Sequence, residues 1–408
     1  MLFRSKINTV VAPVIFALYD YRQGYPFKGR RLGHLAALFS ISVIFAALHI
    51  FSFFWSSTSL AKSDLGGSYY GSPGVHLKNI PFLVFFYLRM VVFPHPLTAW
   101  HMFRVQETFN WILAAGWIGM FAMAWILYRS NRNVQFWSLW FVVFLAPVLQ
   151  IVPNLTWVAE RYLYIPAIGA FVLLGKGFFF VWDRIPAPRF RWLWEFGMIA
   201  ALLALVWRTE SYLPAFRDDL TLWEATAKTC PTSAACRQGL GDALLKRNQI
   251  ERGMKEMIQA VEIRGTAPYL GSLGDAFTLR VGDFRQGIIA YRMALENGGP
   301  STPSRTVELY SKLARAYVQT GQLEEAAAAL QAARRINPDD AFLLVVSSFL
   351  EWKLGNLPAA RAALEKALYI SDQRSAIGRF LYDYWGNAAE VGRFLAAVRP
   401  APAAISQK

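Results

Sequence analysis

At 408 residues, 55% hydrophobic and only 17% charged, the chain is long enough for two domains and richer in apolar side chains than an average soluble protein. Its net charge of +15 lies almost wholly in the first half, where residues 1–208 hold 18 Lys and Arg against 6 Asp and Glu, while residues 209–408 hold 24 against 21. These basic residues sit in short loops between apolar runs, with no basic stripe or nucleic-acid motif, which excludes nucleic acid and makes the lipid bilayer the first expected partner.

Seven apolar segments follow one another. The first, 7–19, stands behind Arg4 and Lys6 and is followed by no small-x-small cleavage site, so it is not a signal peptide. Residues 32–55 are long enough to span alone; 80–93 are short and carry Arg89; 109–128, 136–152, 162–182 and 192–207 complete the set. Trp and Tyr crowd their ends, as at a headgroup boundary. Three loops are basic: 22–31 with Arg22, Lys28, Arg30 and Arg31, 129–135 with Arg129 and Arg132, and 183–191 with Arg184, Arg189 and Arg191. All three are cytoplasmic if 80–93 does not cross, so that segment is read as re-entrant or lying at the outer surface. The repeats after Trp207 then fall outside, which for a bacterial inner membrane is the periplasmic side.

The membrane half has six carboxylates: Asp20, Asp64, Glu107, Glu160, Asp183 and Glu195. Asp64, Glu107 and Glu160 lie on the expected outer side. Glu160-Arg161 opens an apolar helix, and such a pair at a membrane boundary is costly unless paired or functional. A bidentate phosphate site at Arg161 and a plain ion pair anchoring a helix end both fit these residues. His76, His95 and His101 match no metal-ligand spacing and read as structural or interfacial. No Gly-rich phosphate loop, His-Glu-x-x-His or nucleophile elbow is present. Gly175-Lys176-Gly177, inside an apolar run, reads as a helix-packing or kink site with a snorkelling lysine.

Cys230 and Cys236 are too few for a zinc site and read as small buried thiols, or as a disulfide if the region lies outside the cytoplasm. Beyond them the chain repeats itself. The small residues that end successive first helices, Asn248, Gly282, Gly321 and Gly355, are spaced 34, 39 and 34, and Ala260, Ala294, Ala333 and Ala367 repeat the series. Thirty-four is the tetratricopeptide period, and the long interval holds the loop-like insertion 297–303. A half repeat with Leu222, Trp223 and Pro231 precedes the first. Stacked pairs of this kind bury their apolar faces against one another and leave a concave groove. Arg280, Arg285 and Arg315 are candidates to line it, though solvated surface arginines are the simpler reading. The expected fold class is therefore all-α, a polytopic transmembrane helix bundle (1–208) followed by a tetratricopeptide-repeat α-solenoid (209–400) and a disordered tail (401–408).

Three stretches, in order, carry a wider resemblance. They are Ser5 to Asp20, reading SKINTVVAPVIFALYD; Tyr87 to Leu97, reading YLRMVVFPHPL; and Val158 to Gly169, reading VAERYLYIPAIG. With the repeats behind them, the chain resembles the transmembrane and tetratricopeptide-repeat O-mannosyltransferases and their bacterial relatives, which are GT-C membrane glycosyltransferases. The resemblance implies a polyprenyl-phosphate sugar as donor, a protein hydroxyl as acceptor held by the repeats, and a divalent metal as the one cofactor left open. It implies a donor-phosphate or structural role for Glu160 and Arg161, a place in the same site for Tyr162 and Tyr164, and a weaker candidacy for Arg89. The family's first outer loop, which carries its catalytic acid, has no counterpart here, and Ile7 stands where its motif has glutamate. Glu160 is then the remaining carboxylate for catalysis. The expectation is an N-terminally truncated, incomplete or inactive glycosyltransferase, with a membrane-anchored repeat scaffold for protein–protein interaction as the alternative.

Overall fold

The computed structural model describes residues 11–26, 28–60, 73–103, 105–106, 108–150, 157–185, 188–297, 303–370 and 388–398. The Ser5-Lys6-Ile7 motif, Asp64, Glu107, the insertion at 298–302 and the tail lie outside them. The fold is all-α. It divides into two compact units, residues 68–230 with 1–55, and residues 231–408 with 56–67.

The first unit contains α1 (Ala12–Gln23), α2 (Gly29–Leu60) except for its last five residues, α3 (Pro73–Val92), α4 (Trp111–Tyr128), α5 (Arg132–Leu145), α6 (Pro166–Arg184), α7 (Pro188–Tyr212) and α8 (Asp219–Thr229). Short 3₁₀ turns at Glu160–Leu163 and Leu213–Phe216 lead into α6 and out of α7. Five stretches are long and apolar enough to cross a membrane: Gly29–Leu48, Gly74–Val92, Trp111–Tyr128, Pro166–Arg184 and Phe190–Phe216. Helices α1 and α5, at 12 and 14 residues, are shorter. The outward faces of α4 and α7 are apolar, with Ile118, Phe121, Trp125 and Ile126 exposed on one and Phe196, Leu203, Val206 and Trp207 on the other. A helix that is hydrophobic all round is stable only in an apolar surrounding.

The segment expected at 80–93 is longer than its apolar run. Helix α3 has 20 residues, because Val75, Leu77 and neighbouring polar residues extend it backwards, so length alone does not prevent it from crossing. The chain nevertheless turns back. The Asn79 side chain donates to the Gln106 carbonyl and accepts from the Gln106 amide, both at 3.0 Å. His101 meets the edge of Phe86 on the way. Residues 93–103 and 105–106 therefore retrace α3 towards its start. Helix α4 then sets out in the same direction as α3, with Gly116 against Pro81 and Gly119 against the Phe85 ring. Close approach at two successive glycines lets the parallel pair pack.

Helices α5 and α6 touch at Gly169, where an added methyl would come 2.5 Å from the Trp137 carbonyl oxygen. Helix α6 runs unbroken through Gly175-Lys176-Gly177, and nothing described lies within 4 Å of a methyl placed on either glycine. That stretch is thus neither a kink nor a packing site. Leu83, Tyr87, Phe141, Leu145, Val148, Trp157 and Val158 form the buried core of this unit.

The second unit stacks α9 (Ala234–Lys246) with α10 (Ile250–Ile263), α11 (Ala267–Ala276) with α12 (Phe284–Glu296), α13 (Pro303–Gln319) with α14 (Leu323–Ile336), and α15 (Ala341–Lys353) with α16 (Leu357–Ile370); α17 (Ala388–Val398) packs on the last pair. The four residues that set the period, Asn248, Gly282, Gly321 and Gly355, all take the left-handed conformation, with φ of 61°, 78°, 79° and 80°. Ala260, Ala294, Ala333 and Ala367 are all buried. Ala294 and Ala333 belong to one continuous core that also holds Tyr291, Leu313, Leu330, Phe349 and Phe394. Cys230 and Cys236 are disulfide-bonded rather than free thiols. The turn between α8 and α9 is short enough to bring two residues six apart into reach, a proximity that composition does not show.

Candidate functional site

In the first unit the segment returning along α3, the 3₁₀ turn at Glu160–Leu163, the start of α6 and the 3₁₀ turn at Leu213–Phe216 enclose a cavity of about 540 Å³. Glu160, Arg161 and Tyr164 line it with Thr98, Phe171 and Phe216. Glu160 is held by the loop: its Oε1 accepts from the Thr98 amide at 2.8 Å and faces His101 Nε2 at 3.2 Å. The His101 side chain is only 6% exposed and that of Glu160 28%, so the histidine props the carboxylate from the buried side. Behind Thr98 stands α8. Thr229 Oγ1 donates to Thr98 Oγ1 at 2.9 Å, and the buried Thr226 Oγ1 accepts from the Ala99 amide at 3.3 Å.

Both bonds to Glu160 fall on one oxygen, and nothing described donates to Oε2. The Arg161 guanidinium lies 5.2 Å from the Tyr162 ring centre and is paired with no carboxylate among the described residues. The pair is therefore not the simple Glu160–Arg161 ion bridge that adjacency allows. The cavity thus presents the Arg161 guanidinium and the free oxygen of Glu160 beside the Tyr164, Phe171 and Phe216 rings.

The structure brings together Glu160, Arg161 and Tyr164, but not the other two expected residues. Tyr162 turns away from the cavity and packs on the core around Leu83 and Tyr87. Arg89 is exposed on α3, its guanidinium 5.7 Å from the Phe86 ring, because a step of two residues along a helix turns it off the face that carries Tyr87. Among the described residues no three His, Cys, Asp or Glu side chains gather as a metal site. Of these residue types, Glu160 and His101 are the two that meet at the cavity among the described residues.

In the second unit, α9, α11 and α13 line a cavity of about 280 Å³. Gln238 and Ser272, one period apart, are joined by a 2.6 Å hydrogen bond. Lys312 reaches Asp275 and Glu308, both at 2.8 Å, and these two carboxylates hold the ammonium protonated well above its ordinary value despite the opposing effect of burial. Tyr291 donates to Asp275 Oδ1 at 2.7 Å; burial first, then the Asp275 charge, pushes its hydroxyl up. Arg315, expected in solvent, is 1% exposed and donates to Thr278 Oγ1 at 3.0 Å, whereas Arg280 and Arg285 are exposed. This polar seam, flanked by a π turn at Phe277–Val281, had no signal in the sequence beyond the residue types.

Helix pairs closed by left-handed turns at this period make the second unit a tetratricopeptide-type solenoid. In agreement, residues 278–341 match the tetratricopeptide repeat family, so the chain carries a tetratricopeptide-repeat domain. No curated protein matches the chain. Among solved structures it is similar to MamA (16% identity over 38% of this chain and 89% of that one, TM-score 0.33). It is also similar to PilF of Pseudomonas aeruginosa (14%, 47% and 96%, 0.34) and to the type IV pilus biogenesis factor PilW (16%, 48% and 88%, 0.35).

Proposed function

We propose that this chain is a multi-pass membrane protein that presents a tetratricopeptide-repeat groove to a polypeptide partner. The observation that carries the reading is the joining in one chain of five long apolar helices to repeats whose first helices line a polar-walled cavity. Repeats of this kind bind extended or helical segments along their inner face. The charge bias of the basic turns supports a reading in which the repeats lie on the outer side, the periplasmic one if the membrane is a bacterial inner membrane. A photo-crosslinking residue placed at Gln238 or Ser272 of the full chain should capture one discrete polypeptide. The same residue at the exposed Glu324 should not. Equal capture from both positions would remove the groove as the binding surface.

A second reading is favoured by the cavity at Glu160 and Arg161: transfer of a sugar from a polyprenyl phosphate to a protein hydroxyl. Here Arg161 would hold the donor phosphate, Tyr164, Phe171 and Phe216 would face its apolar carrier, and Glu160 Oε2 would take the acceptor's proton. His101 and Thr98 would keep that carboxylate in place. The reconstituted chain should then bind a polyprenyl-phosphate sugar, and Arg161→Ala should abolish binding. If wild type and both Glu160→Ala and Arg161→Ala bind and transfer alike, the site assignment is wrong.

A further inference from the structure

We infer that the turns joining α1 to α2 and α4 to α5 form a binding site for an anionic phospholipid headgroup. The inference rests on the membrane reading above but on neither the cavity nor the groove. The two turns are far apart in sequence and are tied together in the fold. Arg22 Nε donates to Asn133 Oδ1 at 2.8 Å, and the Arg132 guanidinium lies 5.4 Å from the Tyr21 ring. Residues 21–31 and 129–133 hold Arg22, Lys28, Arg30, Arg31, Arg129 and Arg132 and no Asp or Glu. Asp20, the nearest carboxylate in sequence, makes no ion pair with them among the described residues. Basic side chains on two turns tied together in this way, with no carboxylate in either turn, repel one another unless an anion joins them.

The arginines are also held ready for one. Each of four is laid on an aromatic ring: Arg22 on Phe136 at 5.1 Å, Arg31 on Tyr25 at 3.9 Å, Arg129 on Trp125 at 4.8 Å and Arg132 on Tyr21. Stacking fixes a guanidinium without using its donors. Arg22 gives only Nε to Asn133, which leaves both terminal nitrogens without a described acceptor. Helix α5 begins at this point, capped by Asn131, so its amide end adds positive potential.

The surroundings select a lipid rather than a soluble anion. Leu32, Trp125 and Tyr128, next to the basic turns, are exposed at 50%, 59% and 73%. The ligand that matches a pair of basic turns at the ends of bare apolar helices has an anionic head and hydrocarbon tails.

Native mass spectrometry of the full chain in detergent, with phosphatidylglycerol or phosphatidylcholine added, tests this. Phosphatidylglycerol should be retained and phosphatidylcholine should not. The double variant Arg22→Gln with Arg132→Gln should bind it roughly thirtyfold more weakly, from about tenfold or less per arginine near a lipid surface. Arg247→Gln with Arg252→Gln, an equal loss of charge in the repeats, should change nothing. If the double variant aggregates, Arg129→Gln, whose ring partner is on its own helix, should still show a partial loss. Equal retention by wild type and all variants overturns the proposal. Displacement of the lipid by inorganic phosphate alone overturns the lipid assignment in favour of a simple anion site. Extraction of the chain from membranes by alkaline carbonate without detergent would instead sink the membrane reading, and is thereby distinguished from a failure of lipid selectivity.

Discussion

Glu160 spends one oxygen on the loop and leaves the other to the cavity. The Thr98 amide that it accepts from is buried, so removing the carboxylate leaves a donor with no acceptor. Glu160→Ala should therefore lower unfolding stability in detergent by about 1–3 kcal/mol. Glu160→Gln, whose carbonyl still accepts from the amide, should lose markedly less; equal losses would show that the bond does not hold the loop. Lys312 gives a second case. Its ammonium is 12% exposed between Asp275 and Glu308, and Lys312→Met should cost about 2 kcal/mol, between an exposed and a buried pair. Its pKa in the fold lies above the ordinary 10.5, so the unfolded chain releases this proton first and the stabilisation, complete below that pH, is lost as pH rises past it. The gap between wild type and Lys312→Met in denaturant titrations should thus stay constant to about pH 10 and then narrow. Glu160, Arg161 and Tyr164 were legible because they sit in one contiguous motif at a helix start. Thr98 and Phe216, which line the same cavity, and His101, which holds Glu160 from behind, were not, since they come from segments about 60 residues upstream and 55 downstream. Arg315 misled for a different reason: residue type predicts solvent, and only the stacking of α11, α12 and α13 puts it inside.

The elements of the repeat unit were the most legible part of the molecule, and the turns explain why. After α9, α13 and α15 the residue in the left-handed position and its successor bond back to the helix in the same pattern, as in Gly321 N to Val318 O at 3.2 Å and Gln322 N to Tyr317 O at 2.9 Å. That cap satisfies two terminal carbonyls and asks for glycine or asparagine at one position, so a period of small residues shows through otherwise divergent sequence. Gly321→Ala should cost about 1–2 kcal/mol. Asn248→Ala should cost about 1 kcal/mol, and Asn248→Gly should be near neutral, since relief of the left-handed strain is offset by the freer unfolded chain. Denaturant titration of the full chain reads all three, and a neutral Gly321→Ala would remove the cap as the source of the period. The second repeat departs from the pattern. Its first helix widens into the π turn Phe277–Val281, and the Gly282 amide bonds back to Phe277. The wider turn leaves the glycine in register, so periodicity could not reveal it. In the membrane half the boundaries were less legible, because an apolar run marks the part of a helix in contact with lipid or core and not its polar ends. Helix α3 thus begins seven residues before the run that signals it.

At the scale of the whole membrane unit, the sequence poses a question of parity on which the hydrogen bonds of the fold bear. Three basic loops share a side only if the segment carrying Arg89 makes no net crossing. Length argues that α3 can cross, yet the exchange of hydrogen bonds between Asn79 and Gln106 returns the chain to where α3 began, and α4 runs parallel to α3 from there. Two parallel neighbours in succession require such a return, since a simple crossing would make them antiparallel. The contact of Arg22 with Asn133 independently places the first two basic turns together. Single cysteines introduced into a chain with Cys230 and Cys236 replaced should report this directly. Cysteines at Lys28 and Ser130 should react with a membrane-impermeant maleimide from one side of sealed vesicles. Those at the exposed Leu77 and Phe109 should both react from the other. Were α3 a true crossing, Leu77 and Phe109 would lie on opposite faces. Phe109 would then label together with Lys28, and the third basic loop would be driven outward against the charge bias that orients such helices. The physical reason to expect the return is that the polar edge of this segment (Asn79, His101, Gln106 and Glu160) is satisfied within the protein, which allows irregular backbone at membrane depth only where protein rather than lipid surrounds it.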